Sequence, residues 1–180
     1  IDRRHLWSVA VAGGAPTALT RGPSSEWMPS PIDDSSVAFL RSDGRMPAHA
    51  AVLTGTTQRA LASTTMPADL PVSQLVEPQA VTFTAVDGMT RRGQVFVPAD
   101  IKSGERRPAV LFFHGGSRRQ MLLAWHYLSY YHNTYAMNQY LASRGYVVLS
   151  VNYRSGTGYG LEFREALNYG ATGASEFNDV

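Results

Sequence analysis

A run of five apolar residues, Ala109 to Phe113, is the strongest pattern in the chain. Because it is bounded by Pro108 and His114 and is short for a helix, it predicts a strand buried on both faces, as in a parallel sheet. Gly115 and Gly116 follow at once and allow a sharp turn that leaves main-chain N–H groups at the carboxyl end of the strand. Open α/β sheets bind their ligands at that end, so the pattern predicts a functional loop there.

A helix and a second strand are predicted after this loop. The helix is expected over residues 134–145, with Asn133 or Thr134 as its cap and Gly145 as its stop. Its expected apolar stripe consists of Ala136, Met137, Tyr140 and Leu141. Residues 146–151 then predict a buried strand, which would form a β-α-β crossover with the strand at 109–113.

Upstream of the loop, the polar and apolar positions alternate in short segments. Residues 80–86 and 90–97, separated by Asp87-Gly88, predict a β-hairpin. Residues 1 to about 75 predict further short strands, followed by a linker rich in Thr, Ser, Ala and Pro, with a domain boundary near residue 75. The strands of this N-terminal part are expected at 5–11, 16–20, 36–41 and 46–53.

Composition excludes several function classes. The net charge is +2, and the arginines occur as scattered pairs rather than as a basic stripe, which argues against nucleic acid as a partner. The absence of cysteine removes thiolate nucleophiles, disulfides and cysteine-based zinc sites. No apolar run reaches the length of a membrane-spanning helix, so no membrane partner is predicted, and cellular location stays open between cytoplasmic and, with a signal peptide, periplasmic or secreted.

Residues 140–160, YLASRGYVVLSVNYRSGTGYG, together with His114-Gly115-Gly116, resemble the prolyl oligopeptidase family of serine peptidases, in the acylaminoacyl-peptidase and dipeptidyl-peptidase branches. The segment Trp27-Met-Pro-Ser-Pro-Ile-Asp33-Asp34 is similar to a repeat of β-propeller blades, although Asp33-Asp34 replaces the usual Asp-Gly. The resemblance implies an α/β fold. Residues 1–75 would be the last β-propeller strands and the linker, and 76–180 the N-terminal half of an α/β-hydrolase sheet. A small β-sandwich or another β-meander remains an alternative for the first part.

The family resemblance assigns roles to the glycine loop. Gly115 and Gly116 match an oxyanion loop, in which a main-chain N–H stabilises the negative oxygen of a tetrahedral intermediate. His114 is then expected to order the loop, and Ser117 occupies a position where many relatives have proline. Arg154 matches a family arginine for which burial beside a carboxylate is expected.

Several aromatic residues and two histidines follow the loop. Trp125 and Tyr127, with His114 and Ser117, are candidates for contact with substrate. The alternative is that the aromatic residues only pack the loop against the N-terminal part or a partner subunit. His126 and His132 are six residues apart without a carboxylate neighbour, so no metal site is predicted, and no phosphate-binding glycine motif or other cofactor site is present.

No serine in the chain stands in the G-x-S-x-G pattern of a nucleophile elbow. The resemblance therefore implies that Ser, Asp and His of the triad lie beyond this chain, which we expect to be an inactive piece of a peptidase that cleaves short peptides. A carboxylesterase and a non-catalytic propeller-type binding module are the alternatives. A homo-oligomer is compatible with each of them.

Overall fold

The computed structural model describes residues 2–61, 66–116, 118–166 and 175–179. Its N-terminal part contains a two-stranded antiparallel hairpin and a four-stranded antiparallel meander in the order β3-β4-β5-β6. The predicted strands are therefore present, although the first hairpin is shorter than expected. The elements are β1 (Trp7–Ser8), β2 (Thr17–Ala18), β3 (Ser25–Asp33), β4 (Ser36–Ser42), β5 (His49–Thr54) and β6 (Thr57–Ala60).

Strand β3 was not predicted, because Pro29 and Pro31 argue against a strand interior. It is the outer strand of the meander, and its pairing with β4 is shifted between Trp27 and Ser30 and again between Pro31 and Asp33. An outer strand with such irregularities accommodates proline, since one of its edges donates no ladder hydrogen bonds.

A buried carboxylate ties the first hairpin to β3. Glu26 is 1% exposed, and its carboxylate accepts hydrogen bonds from Thr20 Oγ1 at 2.7 Å and Ser24 Oγ at 2.5 Å. The Nδ1 atom of His5 lies 2.9 Å from the same carboxylate. These partners offset the desolvation of the carboxylate, which explains how a glutamate is tolerated inside the N-terminal part.

The second sheet is mixed and has the order β7-β8-β10-β9. Strands β7 and β8 form the predicted hairpin, β10 pairs antiparallel with β8, and β9 pairs parallel with β10. Helix α1 connects β9 to β10, which confirms the predicted crossover. The elements are β7 (Gln79–Thr84), β8 (Thr90–Phe96), β9 (Ala109–Phe113), α1 (Ser129–Ser143), β10 (Val147–Asn152) and α2 (Leu161–Arg164).

Strand β9 is less buried than the sequence predicts. Leu111 is 54% exposed, and Phe112 and Phe113 are half-buried. Within the described residues β9 pairs only with β10, so it is an edge strand here and one face lacks a covering layer. The prediction of burial on both faces is therefore wrong for this chain.

Helix α1 also differs from its prediction. It begins at Ser129, five residues early, and its N-cap is Leu128 rather than Asn133 or Thr134. The N–H of Leu128 donates to Nδ1 of His126 at 3.0 Å, so a histidine just before the helix fixes its start. The predicted stripe is wrong at Met137 and Tyr140, which are 55% and 58% exposed. The buried residues of α1 are Tyr131, Tyr135, Asn138, Gln139 and Ala142.

The two parts of the chain meet along α1 and the segment before it. Leu75 and Val76 pack in the same core cluster as Phe96, Tyr135 and Val148. Ser42 Oγ donates to the carbonyl oxygen of Trp125 at 2.6 Å, and the N–H of Trp125 donates to the carbonyl oxygen of Asp43 at 3.0 Å. A second, smaller core cluster lies in the N-terminal part and contains Leu6, Phe39, Ala51 and Leu53. No helix in the described ranges has the length and apolarity to cross a membrane.

Candidate active site

The loop His114–Gly116 lies directly after β9, at the carboxyl end of the parallel pair formed by β9 and β10. Gly116 has a φ of +68°, in the left-handed region that favours glycine. Both glycines are exposed, and His114 is buried. The loop therefore lies at the carboxyl end of a parallel strand, as the sequence predicted, and it presents main-chain groups to solvent there.

Tyr131, in the first turn of α1, contacts the main chain of this loop. Its hydroxyl accepts a hydrogen bond from the N–H of Gly115 at 3.0 Å and donates one to the carbonyl oxygen of Gly115 at 2.9 Å. One phenol therefore satisfies both polar main-chain groups of Gly115. As a result, the N–H of Gly115 is not available to a ligand in this conformation.

Tyr153, the first residue after β10, contacts the other carbonyl groups of the loop. Its hydroxyl lies 2.6 Å from the carbonyl oxygen of His114 and 2.9 Å from that of Gly116, so its one hydrogen is shared between two acceptors. Burial raises the pKa of Tyr153, which keeps the phenol protonated and able to donate. Within the described residues the N–H of Gly116 makes no hydrogen bond.

His114 lies between the two tyrosine rings. Its imidazole stacks on Tyr153 with ring centroids 4.4 Å apart, and meets Tyr131 edge-on at 6.4 Å. It is 2% exposed, and neither ring nitrogen has a hydrogen-bond partner among the described residues. Burial lowers the pKa of His114 to about 4, so the ring is neutral near pH 7. This placement agrees with a loop-ordering role and leaves its side chain without direct access to solvent.

The chain after the loop is held against the segment that follows β10. Ser117 lies outside the described residues, so its predicted contact with substrate stays a prediction. The N–H of Arg118 donates to the carbonyl oxygen of Ser155 at 3.0 Å, and that of Thr157 donates to the carbonyl oxygen of Arg119 at 3.0 Å. A Cβ on Gly156 would lie 2.6 Å from the carbonyl oxygen of Arg119, so this glycine is needed for the close approach of the two segments.

Trp125 and Tyr127, the other two candidates for substrate contact, pack against other parts of the chain. Trp125 is 5% exposed and belongs to the core cluster around Phe96 and Tyr135. Tyr127 is half-buried, with the guanidinium of Arg4 4.0 Å above its ring and Trp27 at 6.4 Å. Both placements favour the alternative in which these aromatic residues pack the segment against the N-terminal part.

His126 and His132 have structural surroundings. Because Nδ1 of His126 accepts the N–H of Leu128, its proton is on Nε2, which donates to the carbonyl oxygen of Gln120 at 2.9 Å. Burial lowers the pKa of His126 to about 4, and burial also lowers the pKa of His132. No group of three or more potential metal ligands occurs within the described ranges.

Arg154 lies beside carboxylates, as its sequence position predicts. Its Nη2 atom donates to Oδ1 of Asp179 at 2.6 Å, and its Nη1 atom lies 2.6 Å from Oδ2 of Asp87. Hydrogen bonding to Arg154 lowers the pKa of Asp87 to about 2. The Nε atom of the buried Arg91 lies 2.5 Å from Oδ1 of Asp179. The two form an ion pair without hydrogen-bond geometry. The group joins the β7–β8 turn, the segment after β10 and residue 179, and it does not contact the glycine loop.

Comparison with known proteins finds a family that is similar to the C-terminal part of the chain. A family model described as the prolyl oligopeptidase family matches residues 132–180, which include most of α1, β10 and the Asn-Tyr-Arg segment. This part of the chain is similar to the prolyl oligopeptidase family. A protein of related sequence is dipeptidyl aminopeptidase BIII of Pseudoxanthomonas mexicana, which is 45% identical over 69 residues, 38% of this chain and 9% of that protein.

Solved structures of prolyl oligopeptidase-family enzymes show the same fold. A puromycin-hydrolyzing peptidase of Mycobacterium tuberculosis superposes on 93% of this chain and 26% of its own, with a TM-score of 0.72 and 25% identity. An acylaminoacyl peptidase of Pyrococcus horikoshii superposes on 92% of this chain and 24% of its own, with a TM-score of 0.66 and 27% identity. The chain thus spans about a quarter of the length of these enzymes.

The two tyrosines were missed as site residues by sequence reasoning. Neither of them was assigned a role from the sequence. A tyrosine that immediately follows a parallel strand adjacent to the loop strand was a usable signal for Tyr153, because the carboxyl ends of neighbouring parallel strands lie at one edge of the sheet. For Tyr131, no signal could be used without knowing where the helix begins.

Proposed function

We propose that this chain is part of a serine-type peptidase that hydrolyses short peptides through an acyl-enzyme, and that His114–Gly116 is its oxyanion loop. The observation that carries the proposal is the N–H of Gly116, which is exposed and unpaired among the described residues while the neighbouring polar groups of the loop are engaged. An unpaired main-chain donor at the carboxyl end of a parallel strand is suited to a developing negative oxygen. The match of residues 132–180 to a peptidase family supports the reaction class.

In the proposed reaction a serine Oγ adds to the carbonyl carbon of the substrate, and the electron pair of the C=O bond moves to the oxygen. The N–H of Gly116 donates to that oxygen in the tetrahedral intermediate, while the serine proton passes to the histidine partner. The C–N bond then breaks to give the acyl-enzyme, and the amine leaves with that proton. Water adds to the acyl-enzyme and releases the acid and the serine. The sequence has no G-x-S-x-G, so the serine and its acid and histidine partners are assigned to parts of the full-length protein beyond residues 1–180. Gly115 contributes geometry rather than a donor.

The domain division is part of the same proposal. Residues 1–75 are assigned to the end of a β-propeller and its linker, a view supported by the four-stranded antiparallel meander β3–β6, since propeller blades have four strands. Residues 76–180 are assigned to the N-terminal part of an α/β-hydrolase domain. The hairpin β7–β8 followed by a parallel pair with a helical crossover supports this assignment.

The substrate proposal rests on the names of related proteins. They are described as dipeptidyl aminopeptidase, acylaminoacyl peptidase and puromycin-hydrolyzing peptidase. The first two names imply cleavage next to a dipeptide or an acylated amino acid. We therefore assign a short peptide or an aminoacyl amide as the substrate class, with attack at the amide carbonyl.

Active-site labelling tests this proposal. The full-length protein is incubated with a fluorophosphonate probe, the labelled peptide is identified by mass spectrometry, and hydrolysis is measured on unblocked dipeptidyl, N-acylaminoacyl and aminoacyl amides. We expect one labelled serine outside residues 1–180, hydrolysis of at least one amide class, and no labelling of the isolated 180-residue chain. Absence of label on the full-length protein, or label on a serine within residues 1–180, would refute the proposal.

A further inference from the structure

We propose that Tyr131 and Tyr153 form a clamp that fixes the direction of the Gly116 N–H, so that both act as positioning residues for the oxyanion loop. This inference rests on the proposed function. It adds two residues and a specific role: each tyrosine acts through the main chain of the loop and neither touches the substrate. The two tyrosines hold three consecutive peptide groups of the loop at different ends.

The first peptide group joins His114 to Gly115 and is held at both ends. Its carbonyl oxygen accepts from Tyr153 at 2.6 Å, and its N–H, which belongs to Gly115, donates to Tyr131 at 3.0 Å. Because a trans peptide is planar, with its C=O and N–H pointing in opposite directions, the two tyrosines hold this plane from opposite sides. Rotation of this group would break both hydrogen bonds at once.

The second peptide group joins Gly115 to Gly116 and is held at one end only. Its carbonyl oxygen accepts from Tyr131 at 2.9 Å, and its other end is the unpaired N–H of Gly116. Planarity then fixes the direction of that N–H, which must point away from the Tyr131 hydroxyl. Tyr131 thus controls the donor without contacting it.

Tyr153 holds the start of the third peptide group through the carbonyl oxygen of Gly116, at 2.9 Å. Consequently the main-chain polar groups from the carbonyl of His114 to the carbonyl of Gly116 are all engaged, with the exception of one N–H. Glycine pairs have wide conformational freedom, and reversal of the Gly115–Gly116 peptide would turn that N–H by about 180°. The clamp removes this alternative, and a preorganised donor stabilises a transition state better than one that must reorient.

A purely structural role for Tyr131 is the competing explanation. Its ring packs against His126 at 5.3 Å, Tyr130 at 5.1 Å and His114 at 6.4 Å, so the aromatic body has a packing function. Those contacts do not require the hydroxyl. Tyr131→Phe keeps the ring and removes only the two hydrogen bonds to Gly115, which separates the two explanations.

The test compares Tyr131→Phe with Tyr130→Phe in the full-length protein. Tyr130 is the adjacent residue, is 74% exposed, and makes no hydrogen bond through its hydroxyl among the described residues, so its variant is a matched control. The readouts are the second-order rate of fluorophosphonate labelling, kcat and KM on p-nitrophenyl acetate, and the thermal midpoint. We expect Tyr131→Phe to lower the labelling rate and kcat by about 10- to 100-fold with KM within about twofold, and Tyr130→Phe to resemble the wild type.

A second variant and a local measurement keep the test decisive if Tyr131→Phe folds poorly. Tyr153→Phe removes the hydroxyl from the other side of the loop, and a similar loss of kcat with little change of KM is expected. Hydrogen exchange is expected to show loss of protection at the N–H of Gly115 in Tyr131→Phe but not in Tyr130→Phe.

The outcomes distinguish this inference from the function on which it rests. If the wild type takes up the probe and both Phe variants at 131 and 153 react at its rate, the clamp is wrong while the proposed peptidase function stands. If the wild type takes up no probe, the proposed function fails and the clamp fails with it. A loss of activity that appears only as a higher KM also contradicts a positioning role, because the donor acts on the transition state.

Discussion

Replacement of Gln139 by Leu is expected to release the segment around Val76 from helix α1. Gln139 is 1% exposed, and its side-chain amide pairs with the main chain of Val76 as a neighbouring strand would. Its Oε1 accepts from the N–H of Val76 at 2.8 Å, and its Nε2 donates to the carbonyl oxygen of Val76 at 2.7 Å. Nε2 also donates to the carbonyl oxygen of Gly44 at 3.0 Å, so one side chain joins residues from both sides of the linker.

The expected magnitude follows from what the substitution leaves unpaired. Leu has a similar size but no polar atoms, so the N–H and carbonyl of Val76 remain buried without a partner, at a cost of about 1–3 kcal/mol for each group. The carbonyl of Gly44 keeps a donor, because the hydroxyl of Tyr135 reaches it at 2.8 Å. We expect a total loss of about 3 kcal/mol, which corresponds to faster opening of this segment by about two orders of magnitude.

Hydrogen exchange of the full-length protein measures this quantity locally, on peptides that contain residues 75–77. Tyr135→Phe is the matched control. It removes the hydrogen bond to Gly44 at 2.8 Å and the long one from Nε2 of Gln139 at 3.4 Å, and it leaves both hydrogen bonds between Gln139 and Val76 in place. Its expected effect is about 1 kcal/mol, or roughly a fivefold change in exchange. An exchange rate near Val76 in Gln139→Leu that equals the wild-type rate would refute the reasoning. Equal effects of the two variants would also refute it. Gln139→Leu leaves the N–H and the carbonyl of Val76 without a partner, whereas Tyr135→Phe leaves the carbonyl of Gly44 with Gln139 as its donor.

Two further predictions concern the glycine loop. Gly116 has a φ of +68°, which Asn tolerates, and Gly116→Asn keeps the N–H, so fluorophosphonate labelling of the full-length protein should stay within several-fold of the wild-type rate. Gly116→Pro should lower the labelling rate by about 100- to 1,000-fold, because it removes the donor and fixes φ near −65°. Equal labelling of both variants would contradict the assignment of the donor. The unfolding free energy should fall as the pH decreases from about 6.5 to 4, because His114 has a pKa of about 4 in the folded state and binds its proton more readily when unfolded. In denaturant titrations at the two pH values, His114→Phe should reduce this fall by roughly 3 kcal/mol. An unchanged dependence of the unfolding free energy on pH would show that the buried imidazole is not the group responsible.

The parts of the fold that were predictable are those with a strong local signal. The apolar run at 109–113, the Asp87-Gly88 turn and the Gly145 stop each specify one conformation locally, and Gly88 and Gly145 adopt φ values of +86° and +90°. The position of the glycine loop followed from the same reasoning, since its place directly after a strand put it at the carboxyl end of the sheet.

The start and the buried face of α1 were not predictable because neither follows an apolar pattern. Three of its buried residues, Tyr131, Tyr135 and Gln139, are spaced by four and lie on one face, yet each ends in a polar group. Hydrophobic periodicity ranks such residues low, and it selected Met137 and Tyr140, which are exposed. The polar ends of Tyr131, Tyr135 and Gln139 are hydrogen-bonded to main-chain groups far away in the sequence, and no local sequence pattern predicts such contacts.

This polar face gives α1 two tasks at different points along its length. Tyr131 holds the glycine loop, and Gln139, eight residues later and about 12 Å along the axis, holds the residues that precede β7. Between them the ring of Tyr135 packs against Phe96 at 5.2 Å and Trp125 at 5.1 Å, so the middle of the helix is anchored in the core independently of either end. Since residues this far apart without shared partners act almost additively, disturbance of the linker contact should leave the loop contact in place. The helix therefore serves as a fixed support for the loop, and the geometry of the proposed oxyanion donor depends on Tyr131 and Tyr153 more than on how the N-terminal part is attached.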